Sequence, residues 1–103
     1  MSGALHIEVS ELADQQIQEA DRWWQQNRSK APNAIREELE RIGALLAFRP
    51  HLGARAVNVK LRGIRRIHIE RIHYDVYYRL VGNPEYVEIV AFWGSRRGSG
   101  PPI

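Results

Sequence analysis

The fold is decided by residues 63–97, which read GIRRIHIERIHYDVYYRLVGNPEYVEIVAFWGSRR. Apolar and polar residues alternate in three successive runs, a pattern typical of β-strands with one buried face. One face of the middle run is apolar throughout: Tyr74, Val76, Tyr78 and Leu80. Turn residues at 82–84 separate the last two runs. The stretch therefore predicts a three-stranded antiparallel meander.

The last run is apolar on both sides. Strict alternation places Val87, Ile89, Ala91 and Trp93 on one face and Glu88, Val90 and Phe92 on the other. A strand with two apolar faces is expected in the middle of a sheet or beneath a partner. This run is therefore predicted to be a central strand or one covered by another protein.

The beginning of the chain predicts a strand and a helix. Leu5, Ile7 and Val9 alternate with polar residues and indicate a short opening strand. Ser10 is a candidate N-cap for a helix that runs to about Arg28. The apolar stripe of this helix is expected to be Leu12, Ile17, Ala20 and Trp24. Trp23 lies about 100° further around, so one of the two indoles is expected at the margin of the core.

A second helix is predicted between two breaks. Pro32 suits a first helical turn, and Pro50 and Gly53 prevent the helix from running further. The buried stripe is Ile35, Leu39, Ile42, Leu45 and Leu46, and the solvent side is Arg36, Glu37, Glu38, Glu40 and Arg41. The short connection between the helices predicts an antiparallel hairpin. Val57 and Val59 indicate a weak extended lead-in to the meander.

These elements predict an α+β fold with the order β-α-α-β-β-β in a single domain over residues 1–103. A helical hairpin would pack on one face of a small, mainly antiparallel sheet. The opposite face is expected to be uncovered. It would present a basic and aromatic set: Arg66, His68, Tyr77 and Arg79.

Charge is distributed unevenly along the 103 residues. Residues 1–48 contain five Lys and Arg against eight Asp and Glu, whereas residues 49–103 contain ten against four. Such a polarised protein is expected to present its basic side to nucleic acid or to an acidic protein segment. The chain has no cysteine and no run of eighteen apolar residues, so we expect a cytoplasmic protein without a membrane partner.

The sequence contains no recognisable motif for small-molecule catalysis or for metal binding. His6, His51, His68 and His73 include no helical pair at i, i+4 and no cysteine companion. No glycine-rich phosphate loop or nucleophile elbow is present. The sequence therefore predicts neither a metal site nor a cofactor.

The remaining candidates for function are arginines with aromatic residues between them: Arg62, Arg65, Arg66, Arg71, Arg79, Arg96 and Arg97, with Tyr74, Tyr77, Tyr78 and Trp93. Taken one at a time, these are ordinary surface arginines and core tyrosines. Together they can bind phosphate or carboxylate groups and stack on bases. RNA cleavage without a metal would also need a group that transfers protons. Only His68, Tyr77 or Glu70 could supply it.

The order of these segments resembles the toxins of the RelE/ParE superfamily. The resemblance covers nearly the whole chain. Its most specific elements are the break at 50–53, the arginine after Gly63, the run YDVYYRL at 74–80, and an arginine beyond the last strand. The resemblance implies a toxin encoded beside an antitoxin, whose acidic, amphipathic carboxy-terminal segment wraps and neutralises it.

The superfamily includes two activities. RelE-like members cut messenger RNA on the ribosome with basic sheet residues and a histidine or tyrosine near the carboxy terminus, whereas ParE-like members bind DNA gyrase without cutting RNA. Many relatives have histidine where this sequence has Trp93. An indole cannot exchange a proton at neutral pH, so this difference favours a growth-inhibiting, gyrase-binding toxin.

Two alternatives stay open: a ribosome-dependent endoribonuclease, and a degenerate homologue that binds only its antitoxin. For the binding function, the expected contact residues are Arg65, Arg66, Tyr77, Arg79, Trp93, Arg96 and Arg97. For the ribonuclease, the expected catalytic residues are Arg65, Arg66, His68, Arg79 and Arg96. Arg96 and Arg97 are expected on an exposed edge, because Gly94 and Gly98 bracket them.

Overall fold

The computed structural model describes residues 3–103 as two helices beside one five-stranded sheet. The elements, in chain order, are β1 (Ile7–Val9), α1 (Glu11–Asn27), α2 (Ala34–Phe48), β2 (Ala54–Arg55), β3 (Arg65–Ile69), β4 (Tyr74–Val81) and β5 (Tyr86–Gly94). The predicted α+β class is confirmed, as is the order of the helices and of the three long strands. Met1 and Ser2, the first two residues of the predicted domain, lie outside the described residues.

The sheet has the strand order β1-β5-β4-β3-β2. β1 pairs parallel to β5, and the other neighbours are antiparallel. β5 therefore lies between β1 and β4, which explains why its sequence is apolar on both sides. The prediction of a central last strand is confirmed. The predicted lead-in at Val57 and Val59 is wrong, because the extra strand is the two-residue β2.

α1 begins where Ser10 caps it. The Ser10 hydroxyl accepts a hydrogen bond from the backbone N–H of Ala13 at 3.1 Å. Ala13, Ala20 and Trp24 are buried, and their spacing of seven and then four residues keeps them on one side of the helix. Leu12 lies about 100° away from that side and is 36% exposed, so its predicted place in the buried stripe is wrong.

α2 packs beside α1 on the same face of the sheet. Its residues Ile35, Ile42 and Leu46 are buried, as predicted. The helix begins at Ala34 with Asn33 as N-cap, so Pro32 lies just before it and not in its first turn. Glu38 is buried and not on the solvent side, because it falls one turn before Ile42 on the packed side of the helix.

An irregularity in the β4–β5 pairing changes which side chains of β5 face the helices. Tyr77 is opposite Ala91, but Tyr78 is opposite Ile89, so Val90 is an extra residue. Val90 and Ala91 therefore both join the cluster on the far side of the sheet, and Phe92 joins the helix-side core. The predicted alternation holds from Val87 to Val90 and is wrong from Ala91 onward.

The second face of the sheet, opposite the helices, is not bare as predicted. Ile64, Tyr77, Val90 and Ala91 form a buried cluster, and Ala56, Val59, Trp93 and Ile103 pack against it. The Tyr77 hydroxyl accepts a hydrogen bond from the Asn58 side chain at 2.9 Å. The loop at 56–60 and the carboxy-terminal residues thus cover this part of the sheet.

The carboxy-terminal segment is irregular but packed. The backbone N–H of Lys60 donates to the carbonyl of Ile103 at 2.8 Å. Gly100 lies so close to the Asn58 backbone that a Cβ atom on it would overlap the Asn58 carbonyl. Glycine at position 100 therefore permits the cover that removes Tyr77 from solvent.

Candidate partner- and target-binding surfaces

Arg65 belongs to the helix side of the sheet and holds a turn. Its Nη1 donates to the carbonyl of Gly53 at 2.6 Å and to that of His51 at 3.3 Å. The hydroxyl of Tyr78 accepts from the Gly53 backbone N–H at 2.8 Å, and a Cβ on Gly53 would come within 2.8 Å of that hydroxyl. Arg65 is thus separated from the other predicted site residues and has a structural role.

On the second face, two rows of side chains from β3, β4 and β5 lie side by side. One row is His68, Asp75 and Trp93; the next is Arg66, Tyr77 and Ala91. A hollow of ≈ 290 Å³ lies over them, with Arg66, Asp75, Trp93 and Arg97 in its lining. The structure therefore brings together five predicted site residues: Arg66, His68, Tyr77, Trp93 and Arg97. Tyr77 is 1% exposed and has too little surface to contact a partner.

His68 lies between two carboxylates. Its Nδ1 is 2.8 Å from Asp75 Oδ1, and its Nε2 is 2.9 Å from Glu70 Oε1. The hydrogen bond with the buried Asp75 and that with Glu70 raise the pKa of His68, although partial burial opposes them. Asp75 was not among the predicted site residues. The signal for it was a single acidic residue inside an otherwise apolar and aromatic strand.

Trp93 is held by the turn that follows it. The guanidinium of Arg97 stacks over the indole at 4.0 Å from the ring centroid. The indole Nε1–H donates to the carbonyl of Ser99 at 2.8 Å. Trp93 therefore provides a rigid, partly exposed aromatic surface with a cation on it, and it provides no proton for catalysis.

Arg79 is engaged with a neighbouring strand. Its Nε donates to Glu88 Oε1 at 2.8 Å, and the two residues are directly opposite in the β4–β5 ladder. Tyr77 and Ala91 separate this pair from the row that contains His68. Arg79 thus makes an ordinary cross-strand ion pair, and it does not join the other predicted residues.

The turn after β5 exposes its two arginines, as predicted. Arg96 and Arg97 are both exposed. Arg96 Nη2 lies 3.1 Å from His73 Nε2, whereas Arg97 lies on Trp93. Within residues 3–103, neither arginine forms an ion pair with a carboxylate. Both charges are therefore free to meet an anionic group from outside.

A groove that we call the α1 groove runs between α1 and the end of the sheet. Two hollows form it, of ≈ 330 and ≈ 680 Å³, and they share Trp23, Tyr74 and Arg97 in their linings. Leu12 lies in the first hollow, and Trp24, Arg28, His73 and Arg96 lie in the second. None of the α1 residues was predicted as a site residue. The signal for them was the adjacent pair of tryptophans, of which Trp23 is 47% exposed.

The second hollow combines aromatic surface with positive charge. The Arg28 guanidinium lies 5.3 Å from the Trp23 ring centroid and 5.8 Å from that of Trp24. Arg28 forms no ion pair among the described residues. Arg71, at the same hollow, already binds Glu37 and Glu38 at 2.9 and 3.1 Å. Three unpaired cations, Arg28, Arg96 and Arg97, thus surround an apolar floor.

Across residues 3–103, neither helix combines the length and the apolar character needed to span a lipid bilayer.

A solved structure and a protein family match this chain. A comparison with curated proteins found no match. Among solved structures, the fold is similar to a chain of the chromosomal ParDE toxin–antitoxin system from P. aeruginosa, with 16% sequence identity and a TM-score of 0.70. The similarity covers 90% of this chain and 98% of that one. Residues 7–98 match the family described as the ParE toxin of the type II toxin–antitoxin system parDE, and the chain therefore belongs to the ParE toxin family.

Proposed function

We propose that this toxin inhibits growth in the cytoplasm by binding DNA gyrase, and that a cognate antitoxin keeps it inactive. Membership of the ParE toxin family supports the proposal. The toxin is a binding protein in this proposal and needs no chemistry of its own.

The observation that carries the proposal is the arrangement of the turn after β5. Trp93 is fixed by Arg97 and Ser99, and Arg96 and Arg97 are exposed beside it. Aromatic residues and arginines are the residue types that contribute most to protein–protein binding. A rigid indole with two free guanidinium groups fits a protein surface that presents carboxylates.

The α1 groove is the proposed docking place of the antitoxin. Its floor includes Leu12, Trp23 and Tyr74, and Arg28, Arg96 and Arg97 supply the charge. An amphipathic segment with acidic residues would complement both properties. Because Arg97 lines the groove and also covers Trp93, a segment bound in the groove would block the proposed gyrase contact.

Purified toxin should inhibit DNA supercoiling by gyrase and should cause cleaved DNA to accumulate in the reaction. Replacing both Arg96 and Arg97 by alanine should abolish the inhibition and the toxicity in cells. The matched control is Arg55→Ala with Arg62→Ala, which removes two exposed arginines outside the turn and the groove. Full gyrase inhibition by the Arg96/Arg97 variant, or none by the unmodified toxin, would contradict the proposal.

The antitoxin contact can be tested separately. Trp23→Ala should weaken antitoxin binding and leave gyrase inhibition by the free toxin unchanged. The control is Val57→Ala, which alters an apolar residue that is 86% exposed and lies outside the groove lining. An antitoxin present at 1,000 times its dissociation constant should stabilise the unmodified toxin by ~4 kcal/mol. If the antitoxin raised the melting temperature of Trp23→Ala as much as that of the unmodified toxin, the antitoxin would bind outside the α1 groove.

One observation favours the ribonuclease as a second candidate. His68 and Asp75 are hydrogen-bonded beside Arg66 on the second face, and such a pair could move protons near a bound phosphate. In that case, induction of the unmodified toxin would produce codon-specific cuts in ribosome-bound message. His68→Gln would abolish those cuts. If no cuts occur on induction, this candidate is excluded.

A further inference from the structure

We propose that His68, Glu70 and His73, at the turn between β3 and β4, form a binding site for one divalent transition-metal ion of the zinc type. The Nε2 atom of His68 is 2.9 Å from Glu70 Oε1, and the Nδ1 atom of His73 is 4.0 Å from Glu70 Oε2. One potential ligand atom from each of the three residues lies within 4.8 Å of the others. This inference is independent of the proposed target.

The hairpin turn explains why sequence spacing did not reveal the site. The metal motifs that sequence spacing reveals are helical pairs and cysteine companions, whereas these residues are two and three positions apart on either side of a tight turn. The backbone N–H of His73 donates to the carbonyl of Ile69 at 2.9 Å and closes the turn. His73 has a φ of 56°, a conformation that non-glycine residues adopt uncommonly. This conformation brings its ring to the same side as Glu70.

The donor set suits zinc. Imidazole nitrogens and a carboxylate oxygen are zinc ligands, with bonds of about 2.0–2.2 Å, and two histidines with one glutamate is a known open set that leaves a fourth position for water. Tetrahedral bonds of that length put ligand atoms about 3.3–3.5 Å apart. The His68 and His73 nitrogens lie 2.9 and 4.0 Å from different oxygens of Glu70, so the first pair is closer and the second further apart than a tetrahedral site requires. Rotations of the exposed His68 and Glu70 side chains and of the partly exposed His73 ring would bring the three ligand atoms to these separations.

Asp75 provides the support that a metal-binding histidine needs. It is buried, and its Oδ1 lies 2.8 Å from His68 Nδ1. A carboxylate that accepts the Nδ1 proton fixes the ring and leaves Nε2 as the ligand atom. That Nε2 atom is the one directed at Glu70. A metal bound to Nε2 would replace the present contact between His68 and Glu70.

Arg96 contacts His73 in a way that a bound metal would disrupt, so the effect of Arg96 on metal affinity can be tested. Its Nη2 lies 3.1 Å from His73 Nε2, so in this arrangement Nε2 accepts a hydrogen bond and Nδ1 carries the ring proton. A metal on Nδ1 reverses these roles, and Arg96 must then move away. Removing the Arg96 side chain should therefore tighten metal binding, whereas removing a ligand should weaken it.

The experiment is titration of the purified full-length toxin with Zn²⁺ by calorimetry at pH 7.5, with Co²⁺ absorption spectra to report a tetrahedral site. We expect one equivalent bound. His68→Ala and His73→Ala should each weaken Zn²⁺ binding at least tenfold. Glu70→Gln changes an exposed side chain and should do the same without affecting folding, which a thermal melt checks. Asp75→Asn should weaken binding about 10–100-fold.

The controls separate this site from general histidine binding. His51→Ala, at an exposed histidine outside the cluster, should leave Zn²⁺ affinity unchanged, and Arg96→Ala should raise it severalfold. Three results would overturn the proposal. They are no Zn²⁺ binding tighter than millimolar, unchanged Zn²⁺ affinity in both of the single variants Glu70→Gln and His73→Ala, or weaker Zn²⁺ binding in Arg96→Ala.

Discussion

The two faces of the sheet are protected from water in different ways. The helix side buries large apolar residues from both helices and three strands in one core. The second face buries a much smaller cluster around Tyr77 beneath a loop and the carboxy-terminal segment. Apolar burial is non-directional and large, whereas a small cluster depends more on individual hydrogen bonds. We therefore expect stability to come mainly from the helix-side core, target binding from the second face and the turn after β5, and antitoxin binding from the α1 groove.

The largest expected effect is a cavity in the helix-side core. Ile42 is 2% exposed, and Ile42→Ala should lower the free energy of unfolding by ~2–5 kcal/mol. Leu39→Ala, at a partly buried position packed against the same core, should cost clearly less. Urea denaturation of both variants measures the difference. Equal losses would show that the core extends further outward on α2 than its burial indicates.

Substitutions of the neighbouring residues Tyr77 and Tyr78 compare how much single hydrogen bonds on the two faces contribute to stability. Tyr78→Phe removes the acceptor of the buried Gly53 N–H and should cost ~1–3 kcal/mol, because an unsatisfied buried donor loses its hydrogen bond to water as well. Tyr77→Phe removes the acceptor of the Asn58 amide, which is exposed and can turn to water. Its cost should be below about 1 kcal/mol. A larger loss for Tyr77→Phe would reverse the proposed ranking of the faces.

The margin between α2 and the β3–β4 turn should be sensitive to acid. Hydrogen bonds from Arg41 and Arg71 lower the pKa of Glu38, although burial opposes them. The stabilisation is therefore present above the pKa of Glu38 in the unfolded chain, near 4.5, and is lost as the pH falls through the lower pKa of the folded protein. Glu38→Gln should therefore reduce the fall in melting temperature as the pH drops below about 4.5. Glu40→Gln, at an exposed position on the same helix, is the matched control.

The smallest effect is expected at the outer surface of the loop that covers the second face. Val57 is 86% exposed, and Val57→Ser should change the free energy of unfolding by less than about 0.5 kcal/mol. Asn58 and Val59, its neighbours, contact the buried cluster, so Val59→Ser should cost more. A thermal melt that ranks the two changes in the opposite order would show that the loop packs with Val57 inward.

Apolar periodicity alone predicted the fold class, the helix hairpin and a central or partner-covered position for β5. Those features follow from the period of apolar residues, which local backbone geometry imposes on any chain. The stripe Ile35, Ile42 and Leu46 and the strand Tyr74–Val81 were predictable for this reason. The exposure of Arg96 and Arg97 was predictable from the glycines that bracket them. The resemblance of the ordered segments to a toxin superfamily agreed with the ParE toxin family that the chain matches.

The grouping of the candidate site residues depends on contacts that form only in the folded protein. An extra residue at Val90 moves Phe92 to the helix side and Trp93 to the second face, and no periodicity contains that information. Arg65 donates to the carbonyl of Gly53, and Arg79 pairs with Glu88. These partners lie 12 and 9 residues away along the chain, so local sequence patterns could not predict the contacts. The α1 groove and the cluster of His68, Glu70 and His73 likewise depend on packing and turn conformation. Such contacts between distant or turn-linked residues arise when the chain closes on itself, so they are physical consequences of the fold and not of any local pattern.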